Sequence, residues 1–212
     1  STLFPYTTLF RSSGEVPIVA IDPHTGRGDV PTVESDSYTG AQQAVHYLAQ
    51  LGHRRIGFIA GRPDLRSAVA RASGYRAGLA AAGIAFDPAL VGVGRYAQDV
   101  AREAAEAMLS LDDPPTAVFA ANDLSALSII EVAGARGLTV PDDLSVVGFD
   151  DVPEAARAQP ALTTVRQPMK RLGAEAVRMV LTLLAGDTLP ETHIELPTRL
   201  VARGTTAPPR VR

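Results

Sequence analysis

Charged and amide side chains stand at the ends of four short apolar runs of the sequence, either directly after the run or, for Arg62, one residue further on. The first run ends at Asp22, the second at Arg62, the third at Asn122 and the fourth at Asp150. Arg71 lies in the amphipathic stretch that follows the second run. Carboxylates accept hydrogen bonds from paired hydroxyl groups, an amide both donates and accepts, and arginine donates in a rigid fork. Together these residue types predict a binding site for a polyhydroxylated small molecule.

Helix capping is a second interpretation of the same residues, because Asn and Asp are favoured N-cap residues. We expect Asp123 and Asp151 to cap helices, since each stands one position beyond the end of a run. We expect Asp22, Asn122 and Asp150 to contact a ligand, because they are the immediate ends of the runs. The sequence therefore predicts ligand contacts for the residues at the run ends and helix caps for the residues one position beyond.

The segment Gly92–Ala97 fits the pattern G-x-G-x-x-A of dinucleotide-binding proteins. It follows a possible strand and precedes a helix, and Asp123 closes the next strand at a tolerable distance. However, the match lies in the middle of the chain and has alanine in place of the third glycine. Since short patterns of this kind are often met by chance, we treat an NAD-dependent enzyme as the lesser alternative.

The sequence offers little else for catalysis or metal binding. The chain contains no cysteine, which removes thiolate nucleophiles and cysteine metal sites. The adjacent carboxylates Asp150 and Asp151 lack a third ligand at a supporting spacing. None of the four histidines, which fall in loops, on a helix surface and at a helix end, stands in a pattern that resembles a catalytic triad. We expect a protein without enzymatic activity, metal or cofactor.

The polar residues are positioned by a regular alternation of apolar runs and amphipathic stretches. No run alternates apolar with polar residues, as is typical of strands in a parallel sheet that helices cover on both faces. The runs cover 16–21, 56–60, 117–121 and 145–149, and helices are predicted over 39–51, 68–82, 98–111, 123–136 and 168–185. The pattern predicts an α/β, doubly wound fold, in which ligands bind outside the carboxyl ends of the strands.

Composition limits the partners of the chain. Its 212 residues carry a formal net charge of −3, and 46% of them are hydrophobic, which is enough for a substantial core. Since nucleic-acid-binding domains usually present a basic stripe, we do not expect this chain to bind DNA by itself. No apolar run approaches the roughly 18 residues of a membrane span, and no secretory signal opens the chain. We expect a cytoplasmic protein that makes no membrane contact.

Six segments of the sequence form a recognisable series, although each of them is short. They are 51–61, 71–76, 115–123, 140–151, 162–168 and 196–203, and they include the strings HRRIGFIAG, AVFAAND and LSVVGFDD. In this order the series resembles the lactose-repressor (LacI/GalR) type of bacterial transcription regulator. The conjunction is highly specific and extends over most of the chain.

The resemblance implies a two-lobed fold like that of periplasmic sugar-binding proteins. Its parallel sheets are flanked by helices, its N-terminal lobe is incomplete here, and three crossovers join the lobes around a bound effector. The resemblance also implies which residues contact the effector: Asp22, Arg71, Asn122 and Asp150, with Tyr96 as a ring-stacking aromatic and Ser67 and Gln167 as lesser candidates.

The function implied by the resemblance is effector sensing and dimerisation in a transcription regulator. The expected effector is a sugar or a sugar derivative, with a purine as the alternative. A homodimer would contact operator DNA only through an N-terminal helix-turn-helix head, which this chain lacks. The rival function is a solute-binding protein of a sugar transport system, which has the same two-lobed fold.

The same resemblance divides the chain into four parts. We interpret residues 1–15, which partly repeat themselves, as a non-native or disordered leader. Residues 16–33 and 161–193 are expected to form the remnant of the N-terminal lobe. Residues 34–160 and 194–204 are expected to form the C-terminal, effector-binding lobe, and residues 205–212 a loose tail.

Overall fold

The computed structural model describes residues 16–24 and 30–210, and these form two β-sheets. The predicted leader and the last two residues of the predicted tail lie outside the described residues. The larger sheet has the strand order β4-β3-β5-β6-β7-β9 and the smaller sheet the order β1-β2-β8. Neighbouring strands are parallel, except for the antiparallel pair β7 and β9. The strands are β1 (Ala20–Ile21), β2 (Thr32–Ser35), β3 (Ile56–Ala60), β4 (Val91–Val93), β5 (Ala117–Ala120), β6 (Ser145–Asp150), β7 (Thr163–Arg166), β8 (His193–Leu196) and β9 (Arg199–Val201).

The α-helices of the described residues follow the predicted ones closely. Five begin and end within two residues of their predicted bounds, and the short α5 is additional. They are α1 (Ser37–Gln50), α2 (Arg66–Ala81), α3 (Gln98–Leu109), α4 (Asp123–Ala135), α5 (Pro153–Arg157) and α6 (Met169–Leu184). Gly52 and Gly137, just beyond α1 and α4, have φ of 103° and 74°, the backbone that favours glycine at a helix end. None of these helices is long and apolar enough to cross a membrane.

Helices cover both faces of the larger sheet, as we predicted from the uniformly apolar sequences of its strands. Successive residues of a strand point to opposite faces, so Phe58 packs with α1 and α2 while its neighbour Ile59 packs with α3 and α4. Both side chains are almost completely buried. A smaller core joins Val33 of the smaller sheet to Leu172 and Met179 of α6. The doubly wound α/β fold is therefore confirmed.

The two sheets divide the chain differently from the predicted lobe boundaries. The strand β7 lies in the larger sheet, although the prediction placed it in the N-terminal remnant at 161–193. The strand β8 lies in the smaller sheet together with Glu34 and Ser35, although the prediction placed most of these residues in the C-terminal lobe. The predicted boundaries were wrong here because an apolar run indicates that a strand forms, but not which strands pair with it in a sheet.

Residues 205–210, the described part of the predicted loose tail, form a docked segment that we call the C-terminal strap. Thr205 is completely buried, and its hydroxyl donates to the carbonyl of Val146 at 2.7 Å. The carbonyl of Ala207 accepts from Nε2 of His53 at 2.9 Å, and burial lowers the pKa of this histidine. The expectation of a loose tail was wrong because polar hydrogen bonds, which apolar periodicity does not reveal, hold the strap.

Candidate functional site

A cleft of about 640 Å³ opens between the two sheets at the carboxyl ends of their strands. Arg62, which ends the second apolar run, does not line it and donates instead to Asp64 at 2.6 Å. All seven sequence-predicted site residues line the cleft: Asp22, Ser67, Arg71, Tyr96, Asn122, Asp150 and Gln167. The expected convergence of these side chains is therefore present, while their contact with a ligand stays a prediction.

The cleft is also lined by six residues that we did not predict as site residues from the sequence. Met169 and Lys170 begin α6 and therefore approach from the smaller sheet. Lys170 is the single lysine of the chain, and this was the one signal that could have drawn attention to it. The other additional lining residues are Leu65, Asp151, Val152 and Pro153.

The buried Arg71 and the half-buried Asp150 form the centre of the cleft. The Arg71 side chain lies on α2 and is 3% exposed. Its Nη1 donates to the carbonyl of Ala121 at 2.5 Å and lies 3.6 Å from Oδ1 of Asp150. Its guanidinium carbon lies 3.8 Å from the ring centre of Phe149, a favourable cation–π geometry. Burial raises the pKa of Asp150, and the charge of Arg71 opposes this rise.

Gln167 and Ser67 each orient one of the cleft carboxylates. Nε2 of Gln167 donates to Oδ1 of Asp150 at 2.6 Å. The hydroxyl of Ser67, at the beginning of α2, donates to Oδ2 of Asp22 at 2.8 Å. A carboxylate has about four acceptor positions, so each of these two keeps acceptor capacity for a hydroxyl group of a ligand.

Asn122 is both a helix cap and a cleft residue. Its side-chain oxygen accepts from the backbone N–H of Ser125 at 3.1 Å and caps α4. Since the oxygen makes this bond, the amide nitrogen is the group that Asn122 can offer to a ligand. Capping and ligand contact were treated as alternatives in the sequence, and the geometry permits both at this residue.

The predicted cap Asp123 does not cap a helix, because its neighbour Asn122 does. Its carboxylate is completely buried, accepts from the hydroxyl of Thr164 at 2.5 Å, and accepts from the backbone N–H of Val152 at 2.9 Å. Burial raises its pKa to about 7. Asp123 therefore ties the turn after β6 to the larger sheet.

The predicted cap Asp151 does not begin α5 either, since Val152 occupies that position. Its carboxylate forms ion pairs with Arg166 and, at 2.6 Å, with Arg203. Burial acts to raise the pKa of Asp151, but the hydrogen bonds from Arg203 and Arg166 together hold it below its ordinary value. Within the described residues, no group of three or more metal-ligating side chains includes this carboxylate or any other.

Tyr96 lies on the loop between β4 and α3, with its ring against the backbone of Gly61. A Cβ atom at Gly61 would lie 2.2 Å from the Tyr96 ring, so only glycine leaves room for this packing. The hydroxyl of Tyr96 is buried. Burial raises its pKa, and the charge of Arg71 and the hydroxyl of Ser67 oppose this rise. The ring thus forms a wall of the cleft.

The backbone around the cleft is strained. Non-glycine residues with φ between +20° and +160° are uncommon, and such strain tends to cluster at functional sites. Among the described residues, four of the five with this backbone line the cleft, and the fifth, Arg95, precedes one of them. The values of φ are 49° at Asp22, 52° at Arg95, 62° at Tyr96, 122° at Asp150 and 64° at Asp151.

The glycines of the G-x-G-x-x-A segment have a packing role in this fold. A Cβ atom at Gly92 would lie 2.8 Å from Ile59 and 2.9 Å from Cβ of Ala104 on α3. At Gly94 it would lie 2.6 Å from the same isoleucine. The two glycines therefore let α3 pack closely on the edge of the larger sheet, which explains the pattern without a nucleotide.

Two sheets of mainly parallel strands face each other across a cleft, and the described residues cross between them three times. This architecture defines a two-lobed α/β ligand-binding domain. A family model described as a periplasmic binding protein-like domain matches residues 45–206. Because this match extends over more than half of the sequence, the chain belongs to the periplasmic binding protein-like domain family.

The similar proteins are transcriptional regulators. The chain is 35% identical over 190 residues to the HTH-type transcriptional repressor CytR of Escherichia coli K12, covering 90% of this chain and 56% of CytR. The solved complex of the transcriptional regulator CelR with cellobiose matches at a TM-score of 0.85 and 37% identity, over 90% of this chain and 59% of that one. A LacI-family regulatory protein from Chloroflexus aggregans matches at a TM-score of 0.85 and 30% identity, over 95% and 72%. The chain spans little more than half the length of CytR.

Proposed function

We propose that the chain is the effector-sensing region of a bacterial transcription regulator of the lactose-repressor type. The observation that carries the proposal is the convergence of seven polar or aromatic side chains on one cleft between two lobes. A ligand in this position touches both lobes and stabilises one angle between them. A coupling free energy of about 1–3 kcal/mol between ligand and lobe angle is ordinary for such a protein.

The cleft favours a sugar or a sugar derivative as the effector. Asp22 and Asp150 accept hydrogen bonds from hydroxyl groups, Asn122 and Arg71 donate, and Tyr96 offers an aromatic wall. The similar structure of CelR holds cellobiose, which supports this ligand class. A purine stays the alternative, so both classes belong in a first screen.

The remaining parts of the proposal concern the whole protein. A homodimer in the cytoplasm would bind operator DNA through a helix-turn-helix segment outside this chain, without enzymatic activity. The relatives support this, since CytR is an HTH-type transcriptional repressor. No relative named above is a transport protein, so the comparisons favour the regulator over the solute-binding rival.

A thermal-shift screen of sugars and purines tests the ligand site directly. We expect one sugar or purine to raise the melting temperature of the chain. The Asp22→Asn variant should need a ligand concentration at least about tenfold higher for the same rise, because one hydrogen-bond acceptor becomes a donor. Asp112→Asn, on an exposed loop outside the cleft, is the matched control. If the ligand stabilises Asp22→Asn as well as the parent chain, the cleft is not its site.

A further inference from the structure

Three short crossovers carry the chain between the smaller and the larger sheet. Residues 35–37 connect β2 to α1, residues 167–168 connect β7 to α6, and residues 197–198 connect β8 to β9. Any change in the angle between the lobes has to bend the backbone of all three. Hydrogen bonds between the crossovers therefore influence that angle.

Residues 35–37, which we call the hinge tripeptide, make hydrogen bonds to both of the other crossovers. The backbone N–H of Asp36 donates to the carbonyl of Leu196 at 2.8 Å, and the hydroxyl of Thr198 donates to the carbonyl of Asp36 at 2.9 Å. The hydroxyl of Ser35 donates to Oε1 of Gln167 at 2.5 Å. The hinge tripeptide is thus the crossover that connects the other two by hydrogen bonds.

The two serines of the hinge tripeptide also touch the partners of Asp150. The side-chain oxygen of Gln167 accepts from Ser35, and its side-chain nitrogen donates to Asp150. Nε of Arg71, whose Nη1 faces Asp150, donates to the hydroxyl of Ser37 at 3.3 Å. The contacts form a closed ring, Ser35–Gln167–Asp150–Arg71–Ser37, which the backbone of Asp36 completes.

This ring has a mechanical consequence. Ser35 is the last residue of a strand in the smaller sheet, and Ser37 is the first residue of a helix on the larger sheet. A rotation between the lobes moves Ser35 relative to Ser37, Arg71 and Asp150, which all belong to the larger sheet and its helices. The bond from Ser35 to Gln167 is therefore the contact of the ring that such a rotation strains. We propose that Ser35 is a positioning residue that couples the lobe angle, through Gln167, to Asp150 and its partner Arg71.

The inference deepens the proposed function, on which it rests for the role of Asp150 as an effector contact. The hinge role itself can be measured without any effector. The chain contains no cysteine, so Glu106→Cys on α3 and Arg171→Cys on α6, both exposed, would place one spin label on each lobe. Double electron–electron resonance then gives the distribution of distances between the two spin labels, and so between the lobes.

We expect Ser35→Ala to make this distance distribution about twofold broader, because more lobe angles become accessible once the bond to Gln167 is lost. Ser35→Thr keeps the hydroxyl and should restore the narrow distribution. Ser73→Ala, on the exposed face of α2, is the control for a lost serine hydroxyl. Gln167→Ala in the Ser35→Ala background should broaden the distribution little further, since the Ser35–Gln167 bond is already lost and the bond from Gln167 to Asp150 lies within one lobe.

The two proposals fail in different ways. A distribution for Ser35→Ala that equals the parent distribution overturns the hinge role, even if a sugar binds in the cleft. A screen in which no sugar or purine binds counts against the proposed function, but it leaves the distance measurement valid. Broadening in Ser73→Ala equal to that in Ser35→Ala would likewise overturn the hinge role.

Discussion

The guanidinium of Arg71 is held by three elements of the fold. Ser37 begins α1, Ala121 follows β5, and Asp150 ends β6, and each supplies an oxygen atom to Arg71. Arg71→Ala is therefore expected to destabilise the fold, because the change would leave the buried carbonyl of Ala121 without its donor. The position of Arg71 near the strand ends was predictable, whereas its burial depends on Phe149, which is distant in sequence.

Asp123 offers a pH-dependent test at the scale of one residue. Its pKa is about 7 in the folded chain, against an ordinary value of 3.8, so the folded state retains a proton that the unfolded state has lost between these values. Stability from this group is therefore present at low pH and is lost as the pH rises towards 7. We expect the unfolding free energy of the parent chain, minus that of Asp123→Asn, to fall by up to about 1.4 kcal/mol per pH unit between pH 5 and 7.

Urea denaturation of both chains at pH 5, 6 and 7 measures this difference. Asp112→Asn controls for the loss of one negative charge on the surface. A difference between the parent and Asp123→Asn that does not change with pH would show that the buried carboxyl is already ionised at pH 5.

At the scale of elements, α1 and α2 pack closely against each other. A Cβ atom at Gly74 would lie 2.2 Å from the backbone carbonyl of Tyr38 and 2.8 Å from Cβ of Ala41. A Cβ atom at Gly78 would lie 2.7 Å from Val45. The helices themselves were predictable from their apolar stripes and terminal glycines. Their close approach was not, because a glycine inside a helix does not reveal what lies against it.

Substitution of two glycines tests this packing. We expect Gly74→Ala to lower the free energy of unfolding by about 1–3 kcal/mol, because the backbone of α1 cannot move aside without strain. Gly134→Ala in α4 is the matched control, since nothing lies within 4 Å of the added atom. It should raise stability by about 0.4–1 kcal/mol. Urea denaturation that gives the same sign for both changes would contradict the helix contact.

At the scale of the whole molecule, α6 is apolar on more of its surface than the smaller sheet covers. Leu172, Ala176 and Met179 are buried. A second stripe, formed by Val177, Leu181 and Leu184, is 58–62% exposed. The sequence predicted this helix and its apolar stripe, but the share of the stripe that is covered depends on the width of the sheet beneath it.

An exposed stripe of this kind promotes association. We expect the chain to self-associate at micromolar concentrations, and Leu181→Glu to reduce the associated fraction severalfold by placing a charge in the stripe. Arg171→Glu, on the exposed polar face of the same helix, is the control. Sedimentation velocity over a concentration series measures both. An unchanged association of Leu181→Glu would place the contact elsewhere.

The C-terminal strap is synthesised after every strand that it contacts. Val146 and His53 leave the ribosome well before Thr205 and Ala207, which complete their hydrogen bonds. Until then, the hydrogen bonds of Val146 and His53 to the strap cannot form. A nascent chain therefore completes this sheet only when translation has passed the strap, and a ribosome that stalls before Thr205 holds a domain that a chaperone or a protease can still engage.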